Sequence, residues 1–97
     1  MIVNTIRLTS EFEKLYKRKL KQSPHYLIEN IDARISELAK VEDPKAIGEK
    51  KNGQLNNMYA IRLNRDSRIL YIVRTEKQEI IVELVRVCNH KQVYGTD

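Results

Sequence analysis

Apolar and polar positions change their period twice along this chain. In residues 1–8, Ile2, Val3, Ile6 and Leu8 surround Asn4 and Thr5, and Ile6 and Leu8 alternate with Arg7. β-Branched residues dominate, so a strand is predicted. The period then lengthens. Phe12, Leu15, Tyr16 and Leu20 recur at helical spacing, while Lys14, Lys17, Arg18 and Lys21 take the other face. This predicts an amphipathic helix over roughly 11–22, opened by the Ser-x-x-Glu capping box of Ser10-Glu11-Phe12-Glu13. Ser23-Pro24 starts a second helix, with Ser23 as N-cap and Pro24 at the first position. Leu27 or Ile28, then Ile31, Ile35 and Leu38, form its apolar stripe, and it ends near Val41 ahead of Asp43-Pro44. Two helices with so short a link pack as an antiparallel hairpin.

Residues 42–57 are mostly polar and read as a loop, with Ile47 and Leu55 pinning it to the core. Beyond it the alternation returns. Tyr59, Ile61 and Leu63 alternate with Ala60 and Arg62, and Ile69, Tyr71 and Val73 alternate with Arg68, Leu70 and Ile72. Asn64-Arg65-Asp66 is turn-like. A three-residue turn sets Leu63 opposite Ser67, Arg62 opposite Arg68, Ile61 opposite Ile69 and Tyr59 opposite Tyr71. That register sorts an apolar and aromatic face from one carrying both arginines. A two-residue turn sets Arg62 against Ile69 and scatters the faces, so the odd register is preferred. Thr75–Gln78 makes the next turn, and Glu79–Val87 the last strand. The outline is β-α-α-β-β-β plus a short tail. It predicts an α+β fold with a helix hairpin on one face of a mostly antiparallel four-stranded sheet, as a single domain over 1–97.

Composition narrows the partner more than the fold. The 97 residues carry a net charge of +5, with a sequence pI near 9.4. That favours an anionic partner such as nucleic acid or an acidic protein. One cysteine, Cys88, excludes an internal disulfide and, alone, specifies neither a metal site nor a redox pair. It reads as a small buried residue. No run approaches the roughly 18 apolar residues of a membrane span, and the first residues lack the pattern of a signal peptide. A cytoplasmic protein with no membrane partner, metal or cofactor is expected.

Arg62 and Arg68 are the main candidates for chemistry. Like charges directly opposite on a sheet repel, and a phosphate would relieve them, since guanidinium forks match its oxygens. The alternative is a solvated face with ion pairs to Glu83 or Glu79. His90 is one of two histidines and titrates near neutrality, as proton transfer at a 2′-hydroxyl requires; the alternative is a surface residue of the tail. Tyr94 either stacks on a base or anchors the tail. Lys14, Lys17, Arg18 and Lys21 form either a solvated helix face or a surface for a phosphate backbone. Lys50 and Lys51 flank Gly48 and Gly53 without the spacing of a phosphate loop. A capping or surface role suffices for His25.

Two segments resemble the RelE/ParE superfamily of bacterial toxins. One is Tyr59-Ala-Ile-Arg-Leu-Asn-Arg-Asp-Ser-Arg-Ile-Leu-Tyr71, and the other is His90-Lys-Gln-Val-Tyr94. Their order, their separation and the element order match across nearly the whole chain. The resemblance implies the toxin of a type II toxin–antitoxin system. In the RelE and YafQ branches it implies an endoribonuclease that cuts mRNA at the ribosomal A site and is neutralised by a wrapping antitoxin. By this resemblance Arg68 stabilises transition-state charge, Arg62 holds the substrate phosphate, His90 is general acid or base, and Tyr94 orients the base or the attacking hydroxyl. Lys14, Lys17, Arg18, Lys21, Lys50, Lys51, Arg65 and Lys91 would then meet rRNA and mRNA. The chain departs from the family pattern in two places. Cys88 stands where RelE has a tail arginine, and no histidine lies between His25 and His90, so Glu49, Lys50 or Lys51 would have to complete an acid–base pair. A ParE-like inhibitor of DNA gyrase, or a non-catalytic RNA- or protein-binding module, stays open on the same fold.

Overall fold

The computed structural model describes residues 3–21, 26–51 and 57–89. The expected Ser23 cap, the Pro24 start, His25, Leu55 and all residues from His90 on lie outside them. The elements are β1 (Thr5–Leu8), α1 (Ser10–Leu20), α2 (Tyr26–Lys40), β2 (Glu49–Lys50), β3 (Tyr59–Arg62), β4 (Ser67–Glu76) and β5 (Glu79–Asn89). The strands among the described residues form one sheet in the order β1-β5-β4-β3-β2. Only β1 runs parallel to its neighbour, β5. The fold is therefore α+β, as expected, with one strand more than expected. The fifth is β2, inside the polar stretch read as a loop, where Glu49 pairs with Ala60 and Lys50 with Tyr59. Two residues are too few to show a period.

The hairpin from β3 to β4 has the predicted register: Tyr59 opposes Tyr71, Ile61 opposes Ile69 and Arg62 opposes Arg68. Asn64 shapes its turn. The Asn64 Oδ1 accepts from the backbone N–H of Asp66 and of Ser67, each at 2.9 Å. The turn from β4 to β5 is tighter than expected, because β4 continues to Glu76, which pairs with Glu79. Lys77 and Gln78 close it with φ of 50° and 67°. Positive φ at both central residues is the geometry that matches strand twist in a two-residue hairpin.

Strand alternation gives the sheet two unlike faces. Ile61, Leu63, Ile69, Tyr71, Val82 and Leu84 join Phe12, Ile28, Ile31 and Leu38 in the main core, so both helices cover the same face. Leu15, Tyr16, Leu27 and Ile35 pack at its margin, and Ile47 pins the loop there as expected. Leu20 departs from the predicted stripe and stays 46% exposed. The helix is held to the sheet at its other end, where Thr9, not Ser10, is the N-cap. The Thr9 Oγ1 accepts from the Phe12 N–H at 3.1 Å and donates to the Val85 carbonyl at 2.7 Å. The first strand is shorter than expected, because Asn4 is drawn to the end of α2. Its backbone N–H donates to the Ala39 carbonyl.

A β-bulge decides what β5 shows on each face. Leu70 opposes Arg86, but the next pair is Tyr71 with Leu84, so Val85 is the extra residue. Without it, Arg86 would pair with Ile69 and point into the core. With it, Val87 joins the core, and Arg86 and Cys88 turn to the face away from the helices. The strand also runs two residues further than expected, to Asn89.

Candidate functional site

The face away from the helices has an apolar floor ringed by charge. Ala60, Leu70 and Cys88 are buried there, with Met58 and Val85 packed against them. Pairing across the sheet sets side chains of this face in rows. Arg62, Arg68 and Cys88 form one row across β3, β4 and β5. Glu49, Ala60, Leu70 and Arg86 form the next, across β2 to β5. Glu49 is thus the diagonal neighbour of Arg62, a relation that spans about 7–8 Å on a sheet.

The two arginines lie on one face and converge. Arg62 Nε and Arg68 Nη1 both donate to the Asn64 carbonyl, at 3.3 and 3.2 Å, and Arg68 Nη1 also reaches the Ser67 carbonyl at 3.1 Å. The turn that sets the register therefore also gathers the guanidinium groups. The carboxylates named as alternative partners are engaged elsewhere. Glu83 sits 3.5 Å from Arg74, and Glu79 accepts from the Thr5 hydroxyl at 2.7 Å.

Glu49 is paired with Lys51, whose Nζ lies 3.2 Å from the Glu49 Oε1. Lys51 is only 8% exposed. Its ammonium is bonded to that carboxylate. Lys50 pairs with Tyr59 and lies on the helix side of the sheet, away from the arginines. Arg65 is exposed at the hairpin tip. Lys14, Lys17, Arg18 and Lys21 are exposed along α1, with Lys17 3.7 Å from Glu13. Lys91, His90 and Tyr94 lie outside the described residues.

Arg86 and Asn64 are the site residues that pattern reading missed. Arg86 is held 3.8 Å from the Glu11 carboxylate and lies on the same face as Cys88, two residues on. Burial pushes the Cys88 thiol up, while the Arg86 guanidinium acts in the opposite sense. A cysteine held as a thiol in this way is a packing residue more than a nucleophile. The turn-forming preference of Asn at such a position was the available signal for Asn64. For Arg86 it was the adjacent apolar pair Leu84-Val85, which breaks the alternation between Glu83 and Arg86. Chemically, this face offers paired cations for one anion, a carboxylate within a residue's reach, and an apolar floor. Among the described residues no cluster of His, Cys, Asp and Glu would hold a metal ion, and no helix is long and apolar enough to cross a membrane.

No protein-family model matches the chain, and no curated protein matches it in sequence. Solved structures do match. The YoeB/ParE toxin from Agrobacterium tumefaciens superposes with a TM-score of 0.72 at 19% identity, over 89% of this chain and 98% of its own. A chain of the YoeB-YefM complex from Staphylococcus aureus gives 0.65 at 19% identity, over 90% and 97%. YafQ from E. coli gives 0.58 at 12% identity, over 95% and 99%. Similarity at these identities is one of architecture, and the chain has the fold of the RelE/ParE superfamily of toxins.

Proposed function

We propose that the chain is the toxin of a type II toxin–antitoxin pair, an endoribonuclease that cuts mRNA on the ribosome in the cytoplasm. The observation that carries this reading is the arginine pair. Arg62 and Arg68 are held opposite one another and gathered on one carbonyl, with Glu49, the partner of Ala60, diagonal to Arg62. Like charges set directly opposite one another repel, and the two oxygens of an RNA phosphate match two guanidinium forks. The fold supports the same reading, since it is shared with YafQ and with a chain of the YoeB-YefM complex. By that likeness a cognate antitoxin protein is the neutralising partner.

In this mechanism Glu49 takes the proton of the attacking 2′-hydroxyl. Lys51 keeps the carboxylate oriented. Arg62 holds the scissile phosphate, and Arg68 meets the charge that builds on its non-bridging oxygens. His90 follows Asn89, the last residue of β5, directly in the sequence. It returns a proton to the leaving 5′-oxygen, while Tyr94 stacks on the base. The products are a 2′,3′-cyclic phosphate and a 5′-hydroxyl.

Single-turnover cleavage of mRNA on saturating ribosomes tests this. Arg68→Ala should slow cleavage by about 100- to 1,000-fold with ribosome affinity kept. His90→Gln should cost less, because other groups on the ribosome can carry part of the proton transfer. Full activity in both variants, with the fold intact, defeats the assignment. Intact mRNA together with linearised plasmid in a gyrase reaction would move the chain to the gyrase-inhibiting branch.

A further inference from the structure

Glu49 sits on a two-residue strand at the edge of the sheet, and so short a strand holds itself poorly. The other side of the sheet supplies what it lacks. Tyr71 is fully buried there, its ring stacked on Tyr59 with centroids 5.8 Å apart and planes at 26°. The Tyr71 hydroxyl donates to the Pro44 carbonyl at 2.7 Å. Pro44 is itself fully buried, and it lies in a turn where the Ala46 N–H bonds the Asp43 carbonyl and the Lys45 N–H bonds Asp43 Oδ1. The chain then crosses the tyrosine at Gly48. A Cβ at Gly48 would overlap the Tyr71 hydroxyl and stand 2.8 Å from Cζ and 3.2 Å from Cε1. Glu49 is the next residue.

A phenylalanine would fill this part of the core as well as a tyrosine. The hydroxyl adds one directed bond, and that bond goes to the segment leading into β2. Burial holds the phenol far above its usual range, so it stays a neutral donor. Tyr59, stacked on Tyr71, is also the residue that Lys50 pairs with. One aromatic pair therefore underlies both the approach to β2 and its seat on the sheet.

We infer that the Tyr71 hydroxyl, bonded to the Pro44 carbonyl and seated against Gly48, is a latch that sets β2 on the sheet edge and so positions Glu49 against the arginine pair. Tyr71 is a positioning residue, on the opposite face from the chemistry. The role given to Glu49 rests on the ribonuclease reading above; the latch itself does not.

Tyr71→Phe keeps the ring and deletes the bond. Amide hydrogen exchange at Lys51, whose N–H donates to the Met58 carbonyl at 2.9 Å, should quicken about tenfold, with β4 and β5 amides unchanged. Cleavage on saturating ribosomes should slow by about ten- to a hundredfold at unchanged ribosome affinity. In a Glu49→Gln background the same change should cost nothing more, because no base is left to position. Gly48→Ala should free the Lys51 amide in the native chain, and do so less when Tyr71→Phe has removed the nearest overlapping atom. Unchanged exchange at Lys51, or a uniform loss of protection through β4 and β5, overturns the latch. Faster exchange with full cleavage, or an undiminished further loss in the Glu49→Gln background, overturns the positioning of Glu49. Native protein that cuts no mRNA, while Lys51 exchange still responds, defeats the ribonuclease reading and upholds the latch.

Discussion

A single side-chain amide joins the first strand to the end of α2. Asn4 is buried, and its Nδ2 donates to the Leu38 carbonyl at 2.9 Å and the Val41 carbonyl at 2.7 Å. Carbonyls at a helix C-terminus have no donor within the helix, so this amide satisfies groups that would otherwise be buried dry. Asn4→Ala should therefore cost about 1–3 kcal/mol. Asn4→Asp keeps the shape but sets a carboxylate without donors against two carbonyl oxygens, and should cost more. Urea-unfolding midpoints of the three proteins measure this. An Asp variant as stable as the native chain would show that the amide donors do not hold the joint. At this scale the sequence was legible where two local signals agreed. The turn chemistry of Asn64-Arg65-Asp66 and the apolar alternation on either side pick one register, and that register places Arg62 beside Arg68. Asn4 carried no such signal, because its partners lie more than thirty residues away in the chain. The burial of Lys51 was hidden for another reason: it falls in a polar stretch that shows no period.

Elements follow their periods until an irregularity intervenes. Both helices and the β3–β4 hairpin were legible because each has several turns or pairs over which a period repeats. The bulge at Val85 was not read, although Leu84-Val85 sets two apolar residues side by side and shifts the phase between Glu83 and Arg86. Yet that one extra residue moves Arg86 from the core side to the site side. The turn after β4 shows the opposite case, in which geometry overrides preference. Lys77 and Gln78 both hold positive φ, where side chains with a Cβ are strained. Strand twist imposes it, as ten ladder pairs between β4 and β5 fix the ends. Replacing Lys77-Gln78 by Asn-Gly should then stabilise the fold by about 1–2 kcal/mol. For a domain near this size each kcal/mol raises the melting temperature by about 4–8 °C. A scanning-calorimetry trace with no upward shift would mean that the strain is absorbed elsewhere in the hairpin.

Across the molecule, the sheet divides two jobs. Its helix side carries the main apolar core, and its other side carries Arg62, Arg68 and Arg86 over a small apolar floor. The exposed lysines of α1 form a second basic surface on a different element. Both helices follow β1 and cover one side, so among the described residues no helix covers the other. This division separates binding from chemistry in a testable way. Lys17 is exposed, and its ion pair with Glu13 is an i,i+4 surface contact of small worth. If α1 meets an RNA backbone, Lys17→Ala and Lys21→Ala should each weaken ribosome association. Each should also lower the slope of log affinity against log salt by about one unit. Neither should change the rate of the cleavage step once ribosomes are saturating, because the helix lies on the face away from Arg68. Arg68→Ala should do the reverse, slowing the step with little change in affinity. Binding titrations over a range of salt, run beside single-turnover cleavage, separate these effects. Lysine variants that bind normally at every salt concentration would restrict the RNA contact to the open face of the sheet.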